Sequence, residues 1–127
     1  MADFNTEIAM LSKYRHPNII LMLGAVTYPP NLCIVMEYMK EGTLYDLLHR
    51  KKTQLPDKQK SSIARQIIHV INYLHKHGIV HRDIKSHNIL LTNNYEVKLC
   101  DFGLARHKSE LNTGPMQYSG TPTYMAQ

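Results

Sequence analysis

An α+β fold is predicted by three features of the chain. Two short apolar runs, 19–26 (IILMLGAV) and 32–39 (LCIVMEYM), are separated by a proline-rich break and read as an antiparallel strand pair. A longer stretch starting at Pro56 repeats apolar residues every three to four positions, the period of an amphipathic helix. Beyond it, 88–92 (NILLT) and 96–100 (EVKLC) flank an Asn-Asn-Tyr turn and read as a small hairpin.

The first element in chain order is a helix over 4–14. Phe4, Ile8 and Leu11 form its apolar stripe, with Met10 and Tyr14 less regular, and Asp3 near its start suits the helix dipole. Pro17 disfavours helix at His16 and ends it. The strand pair follows, and KEGT (40–43) releases the chain into a short helix, LYDLLHR. The long helix has Pro56 and Asp57 at its first turn and Gly78 just past its end. Its stripe is Ile63, Ile67, Val70 or Ile71, and Leu74, and HKHG puts positive charge by the carbonyl end. Residues 103–127 are rich in Gly, Pro, Ser and Thr without a period, and a mobile loop is predicted there.

Composition narrows the function classes. The 127 residues suffice for one compact domain, and a 43% hydrophobic, 20% charged make-up is that of a folded chain. No run of 18 apolar residues occurs, so no membrane span is expected, and the acidic N-terminus lacks the basic start of a secretory signal. A cytoplasmic location is the expectation. The net charge of +5 raises a nucleic-acid reading, but the basic runs at 49–52 (HRKK) and 57–60 (DKQK) lack interleaved aromatics, so no nucleic-acid partner is expected. Cys33 and Cys100 lie far apart in apolar runs and read as small core residues, not as a disulfide or metal pair. His75 and His77 are two apart on one helix and point to different faces, which argues against a zinc site with His69 and His81.

The chemistry concentrates in HRDIKSHN (81–88) and DFG (101–103). Phosphoryl transfer needs a carboxylate to orient the attacking hydroxyl, a cation on the transferring phosphate, and oxygen ligands for magnesium. In a loop that doubles back, Asp83 supplies the carboxylate, Lys85 the point charge and Asn88 a neutral oxygen ligand. Asp101 adds a second hard oxygen ligand, Phe102 can anchor the loop in an apolar pocket, and Gly103 lets the backbone swing.

These residues, followed by GTPTYMA at 120–126, stand in the order and spacing of a eukaryotic protein kinase catalytic domain, which the chain resembles over nearly its whole length. The resemblance implies a bilobal α+β fold, with 1–36 as the end of the small lobe and 37–127 as the hinge and first part of the large lobe. It makes Asp83 the catalytic base, Lys85 the partner of the γ-phosphate, and Asn88 and Asp101 the Mg2+ ligands. Glu7 takes the place of the helix glutamate that pairs with a strand lysine. Met36 resembles the gatekeeper, with Glu37, Tyr38 and Met39 as the hinge. Backbone groups of Glu37 and Met39 would bond the adenine of ATP, and Leu90 would lie beneath it. Leu11, Met22, His81 and Phe102 would stack as a hydrophobic spine. Arg82 would dock a phosphate placed by an upstream kinase on Ser109, Thr113, Tyr118 or Ser119, and Thr121 would position a protein substrate.

Lys85 together with Thr121 is the pattern of serine/threonine kinases, and the wording of both motifs resembles the tyrosine-kinase-like group, such as Raf-like and mixed-lineage enzymes. No GxGxxG occurs, no lysine precedes Glu7, and YMAQ stands where the family continues with Pro-Glu. The chain is therefore expected to be truncated at both ends and not active alone, with a non-catalytic binding or dominant-negative module as the alternative.

Overall fold

A computed structural model describes residues 4–50 and 54–111. Its elements are α1 (Phe4–Lys13), β1 (Met22–Val26), β2 (Cys33–Met36), a π-wound turn (Asp46–Arg50), α2 (Asp57–Lys76), β3 (Ile79–Val80), a 3-10 turn (Ser86–Asn88), β4 (Ile89–Leu91), β5 (Val97–Leu99), β6 (Arg106–His107) and α3 (Lys108–Leu111). The mixture is α+β, as expected. Three antiparallel two-stranded ladders form: β1 with β2, β3 with β6, and β4 with β5.

α1 ends at Lys13, and Tyr14 N–H still reaches the Met10 carbonyl at 3.0 Å before Pro17 turns the chain. The buried members of its stripe are Met10 and Leu11, joined by Tyr14, whereas Phe4 and Ile8 are only half-buried. The inward face is thus rotated toward the residues that looked irregular. Both predicted strands are shorter than expected. Ile19 makes a parallel bridge to Leu99, and Ile20 N–H bonds the Leu99 carbonyl at 3.0 Å, so 19–20 belong to another partner. At the other run's end, Tyr38 is 87% exposed and the chain has left the ladder after Met36.

Cys33 is exposed, contrary to the core role predicted for it, because alternate β2 residues face away from the core and Cys33 lies on the outward set with Val35. Leu21, Leu23 and Val35 are likewise exposed. The predicted short helix is present as helical turns over 44–50, widened to π winding from Asp46. Asp46 and Thr43 cap one another: Asp46 N–H donates to Thr43 Oγ1 at 3.0 Å, and Thr43 N–H to Asp46 Oδ2 at 3.4 Å.

α2 is the spine of the fold. Pro56 stands just before it with ψ of 151°, outside the helix, and its carbonyl accepts from Gln59 and Lys60 N–H. Gly78 follows the end at φ +74°, a conformation in which a side chain is strained. Ile63, Val70 and Leu74 are buried, which settles the choice between Val70 and Ile71; Ile67 is half-buried against the same core. Val70 and Leu74 are each 1% exposed, and full burial of such side chains stabilises by roughly 1.5–3 kcal/mol apiece. They meet Ile79, Val97, Leu99 and Phe102 in one continuous core.

The β4–β5 hairpin forms as predicted, in the register Ile89↔Leu99, Leu90↔Lys98, Leu91↔Val97. The stretch after Gly103 is not wholly a loop. Arg106 and His107 pair with Val80 and Ile79, and Lys108 N–H bonds the Gly78 carbonyl at 2.8 Å, which starts the short α3. These bonds hold residues 106–108, where no apolar pattern could announce them. No helix among the described residues is long and apolar enough to cross a membrane.

Leu74→Ala is expected to cost about 2–5 kcal/mol in urea unfolding, the cost of a cavity in a close-packed core. Ile68→Ala on the same helix, at a residue 64% exposed, should stay within about 0.5 kcal/mol. Equal effects at the two positions would contradict the burial of this helix face.

Candidate active site

The connection from β3 to β4 runs through a buried, tightly bonded turn. His81 is 3% exposed and meets the Phe102 ring edge-on, with centroids 4.8 Å apart. Its Nε2 lies 3.0 Å from the Cys100 carbonyl, which can only accept, so Nε2 carries the hydrogen. Its Nδ1 accepts from Asp83 N–H at 3.1 Å. Both ring nitrogens are satisfied in a single neutral tautomer. Burial pushes the His81 pKa down, against the Cys100 bond and the Asp83 and Asp101 carboxylates, which favour the charged form.

Asp83 is held on two sides. Asn88 Nδ2 donates to Asp83 Oδ2 at 3.0 Å and to the Asp83 carbonyl at 2.9 Å. Lys85 Nζ lies 3.8 Å from Asp83 Oδ1. The Asn88 nitrogen therefore faces Asp83, and its planar amide turns the carbonyl oxygen the other way.

The hairpin brings in Asp101. Because β4 and β5 are antiparallel, the residue before β4 and those just after β5 meet at the open end of the ladder. Cys100 N–H donates to the Asn88 carbonyl at 3.0 Å, and Asp101 comes next. The Cys100 thiol is pushed up to about 12, first by burial and then by the Asp101 and Glu7 carboxylates, so it is a packed thiol and not a nucleophile. The same proximity appears at Glu7, whose pKa is raised by burial and then by Asp101. α1 thus carries a carboxylate to the Asp101 end of the hairpin.

Two backbone positions of the site are strained. Arg82 has φ of 71° and Asp101 has φ of 62°, both in the left-handed region. Each costs about 1–3 kcal/mol and persists only when neighbours over-determine it. Arg82 is tied by its Nε to the Leu104 carbonyl at 2.8 Å, and Asp101 lies between the buried Phe102 and the bonded Cys100. Burial, then the Arg106 guanidinium, depress the Arg82 pKa, with Glu110 opposing. Gly103 is buried beside Phe102.

The other expected residues lie nearby. Met36 is half-buried against the core, and Glu37 N–H bonds the Leu21 carbonyl at 2.9 Å. Leu21 N–H returns a bond to Glu37 Oε1 at 3.0 Å, and Lys98 Nζ stands 3.8 Å from the same oxygen. The chain then turns at Met39, whose carbonyl takes Gly42 N–H at 3.1 Å. Thr43 bridges Leu90, and Leu91 N–H reaches the Gly42 carbonyl at 3.1 Å, so the end of the 36–39 segment and Leu90 are brought together. Leu11, His81 and Phe102 are buried, and Met22 packs against the same core. Thr121 and the acceptor candidates Thr113, Tyr118 and Ser119 lie outside the described residues; Ser109 is exposed on α3.

Sequence reasoning missed Asn18, Gln66 and Lys98. For Gln66 a signal existed: it stands three residues after Ile63 and four before Val70, a polar residue at the spacing of the apolar stripe. The oxygen donors Asn88 and Asp101 suit a hard divalent ion such as Mg2+.

Comparison with known proteins places this arrangement. The protein kinase domain model matches residues 2–127. A probable serine/threonine-protein kinase of Dictyostelium discoideum is 45% identical over 126 residues, 99% of this chain and 14% of that protein. Serine/threonine-protein kinase CTR1 of Arabidopsis thaliana is 46% identical over 98% of this chain and 16% of its own length. The probable serine/threonine-protein kinase SIS8 of the same plant is 44% identical over 99% of the chain and 12% of its length. The chain spans 12–16% of the length of these relatives. On the family match and these identities, the chain belongs to the protein kinase domain family.

Proposed function

We propose that the protein is an ATP-dependent serine/threonine kinase, with Asp83 orienting and deprotonating the acceptor hydroxyl of a protein substrate. The observation that carries this reading is the bonded set of Asp83, Lys85 and Asn88 at the open end of the β4–β5 ladder, beside Asp101. Serine/threonine specificity is supported by Lys85 and by the names of the relatives.

Asn88 through its carbonyl oxygen, and Asp101 through its carboxylate, would hold Mg2+, which neutralises charge on the phosphates of ATP. Lys85, 24% exposed, reaches outward from Asp83 and serves as the cation for the transferring group. Asp83 takes the hydroxyl proton while Asn88 fixes its carboxylate. Glu37, Met39 and Leu90 form the adenine side, with Met36 behind them. Phe102 and Gly103 set whether Asp101 faces the metal. Arg82, beside Arg106, is the docking point for an activating phosphate delivered by another kinase.

In the full-length protein Asp83→Ala should lower kcat by about 10²–10⁴-fold while ATP affinity changes little. Turnover at the wild-type rate would overturn the assignment of the base. Asp101→Ala should abolish the Mg2+-dependent part of ATP affinity, read by titration with and without the ion; unchanged Mg2+ dependence would remove Asp101 from the metal site.

The pH dependence follows from His81. Its folded pKa lies below the ordinary value of 6.5, so the unfolded chain takes up the proton first. Stability is full above about pH 6.5 and falls as the pH drops below it. His16, also shifted down by burial, acts in the same direction, and the raised Glu7 acts in the opposite one at lower pH. The melting temperature should fall from pH 7.5 to 5.5, and less steeply in His81→Gln. Identical slopes would show that His81 is not held neutral.

A further inference from the structure

Gln66 makes three long-range side-chain bonds, to Val97, Asn18 and Tyr95. Its Oε1 accepts from Val97 N–H at 2.8 Å and from Asn18 Nδ2 at 3.0 Å. Its Nε2 donates to the Tyr95 carbonyl at 2.9 Å and reaches Ser62 Oγ at 3.2 Å. The amide cannot be reversed, since Val97 N–H can only donate and the Tyr95 carbonyl can only accept. Gln66 therefore does for β5 what a neighbouring strand would do, from the surface of α2.

The consequences run both ways along the chain. Asn18, held by Gln66, also donates to the Val97 carbonyl at 2.9 Å, and its own carbonyl takes Leu99 N–H at 2.7 Å. Ile20 N–H then bonds the Leu99 carbonyl. Residues 18–20 are stitched to 97–99, with Gln66 at the origin of the stitch. Upstream, that segment continues from α1, which carries Glu7. Downstream, β5 delivers Asp101 two residues later. Val97 and Leu99 are 0% and 1% exposed, so a donor released here finds no water.

We infer that Gln66 is a positioning residue that sets Asp101 against the helix carrying Glu7 and so governs metal-dependent nucleotide binding. The inference rests on the kinase reading above. The side-chain bonds of Gln66 go to Val97, Asn18, Tyr95 and Ser62 and not directly to Glu37, Met39 or Leu90, so adenine binding should suffer less from its loss than metal-linked phosphate binding.

The test is calorimetric titration of the full-length protein with adenosine, and with a non-hydrolysable ATP analogue plus Mg2+. Gln66→Met should weaken the Mg2+–analogue complex by about tenfold or more and leave adenosine within about twofold. Asn18→Ala should cost less in the Gln66→Met background than alone, because both act through one network. Should Gln66→Met fail to fold, Gln66→Glu keeps the acceptor and loses the donor to Tyr95. In that variant, without nucleotide, amide exchange at Ile20 and Leu99 should quicken while Val70 in α2 stays protected. Both ligands weakening together, neither weakening, or unchanged exchange would overturn the inference. A wild-type protein that binds neither ligand would instead overturn the kinase reading, and the inference with it.

Discussion

The expected metal ligands Asn88 and Asp101, and His81 behind Asp83, are all fastened to the backbone of residues 97–100. That short run is hydrogen-bonded along its length: to β4 across the ladder, to residues 18–20 on its other side, and to Gln66 from α2. At its end the Cys100 carbonyl takes His81 Nε2, while Cys100 N–H finds the Asn88 carbonyl. The groups expected to hold the metal are therefore placed by backbone geometry, next to a strand hydrogen-bonded on both sides. Such placement can support strained conformations at Arg82 and Asp101, which isolated loops would relax.

Electrostatics follow from the same arrangement. Asp101 and Glu7 meet at one end of the hairpin: burial first, and then the Asp101 carboxylate, raise the pKa values of Glu7 and Cys100, and Glu7 adds to the shift at Cys100. Such a group of carboxylates favours cations, and hard oxygen donors favour magnesium. His81 stays neutral at the centre because both of its nitrogens are occupied by groups that require that tautomer.

Much of this was legible in the sequence because it is local. The 3.6-residue stripe of α2, Gly78 past its end and the NNY hairpin are each set by a few adjacent residues, and the structure has them where expected. The HRD and DFG runs are legible for the same reason, since their spacing reflects one turn and one hairpin. What escaped depends on partners far along the chain. Ile19 and Ile20 read as strand, but their partner is Leu99, about 80 residues away. β6 formed because Ile79 and Val80 offered an edge, and Cys33 faced outward because only one side of the β1–β2 ladder is covered. Gln66 was passed over because its bonds go to two other segments, although a polar side chain on an apolar stripe marked it.

The most direct measurement is a crystal structure of the full-length protein with Mg2+ and a non-hydrolysable ATP analogue. The account predicts the ion bound by Asn88 Oδ1 and the Asp101 carboxylate at about 2.0–2.1 Å, with the terminal phosphate beside Lys85 and facing Asp83. A nucleotide bound elsewhere, or an ion held by other residues, would contradict it.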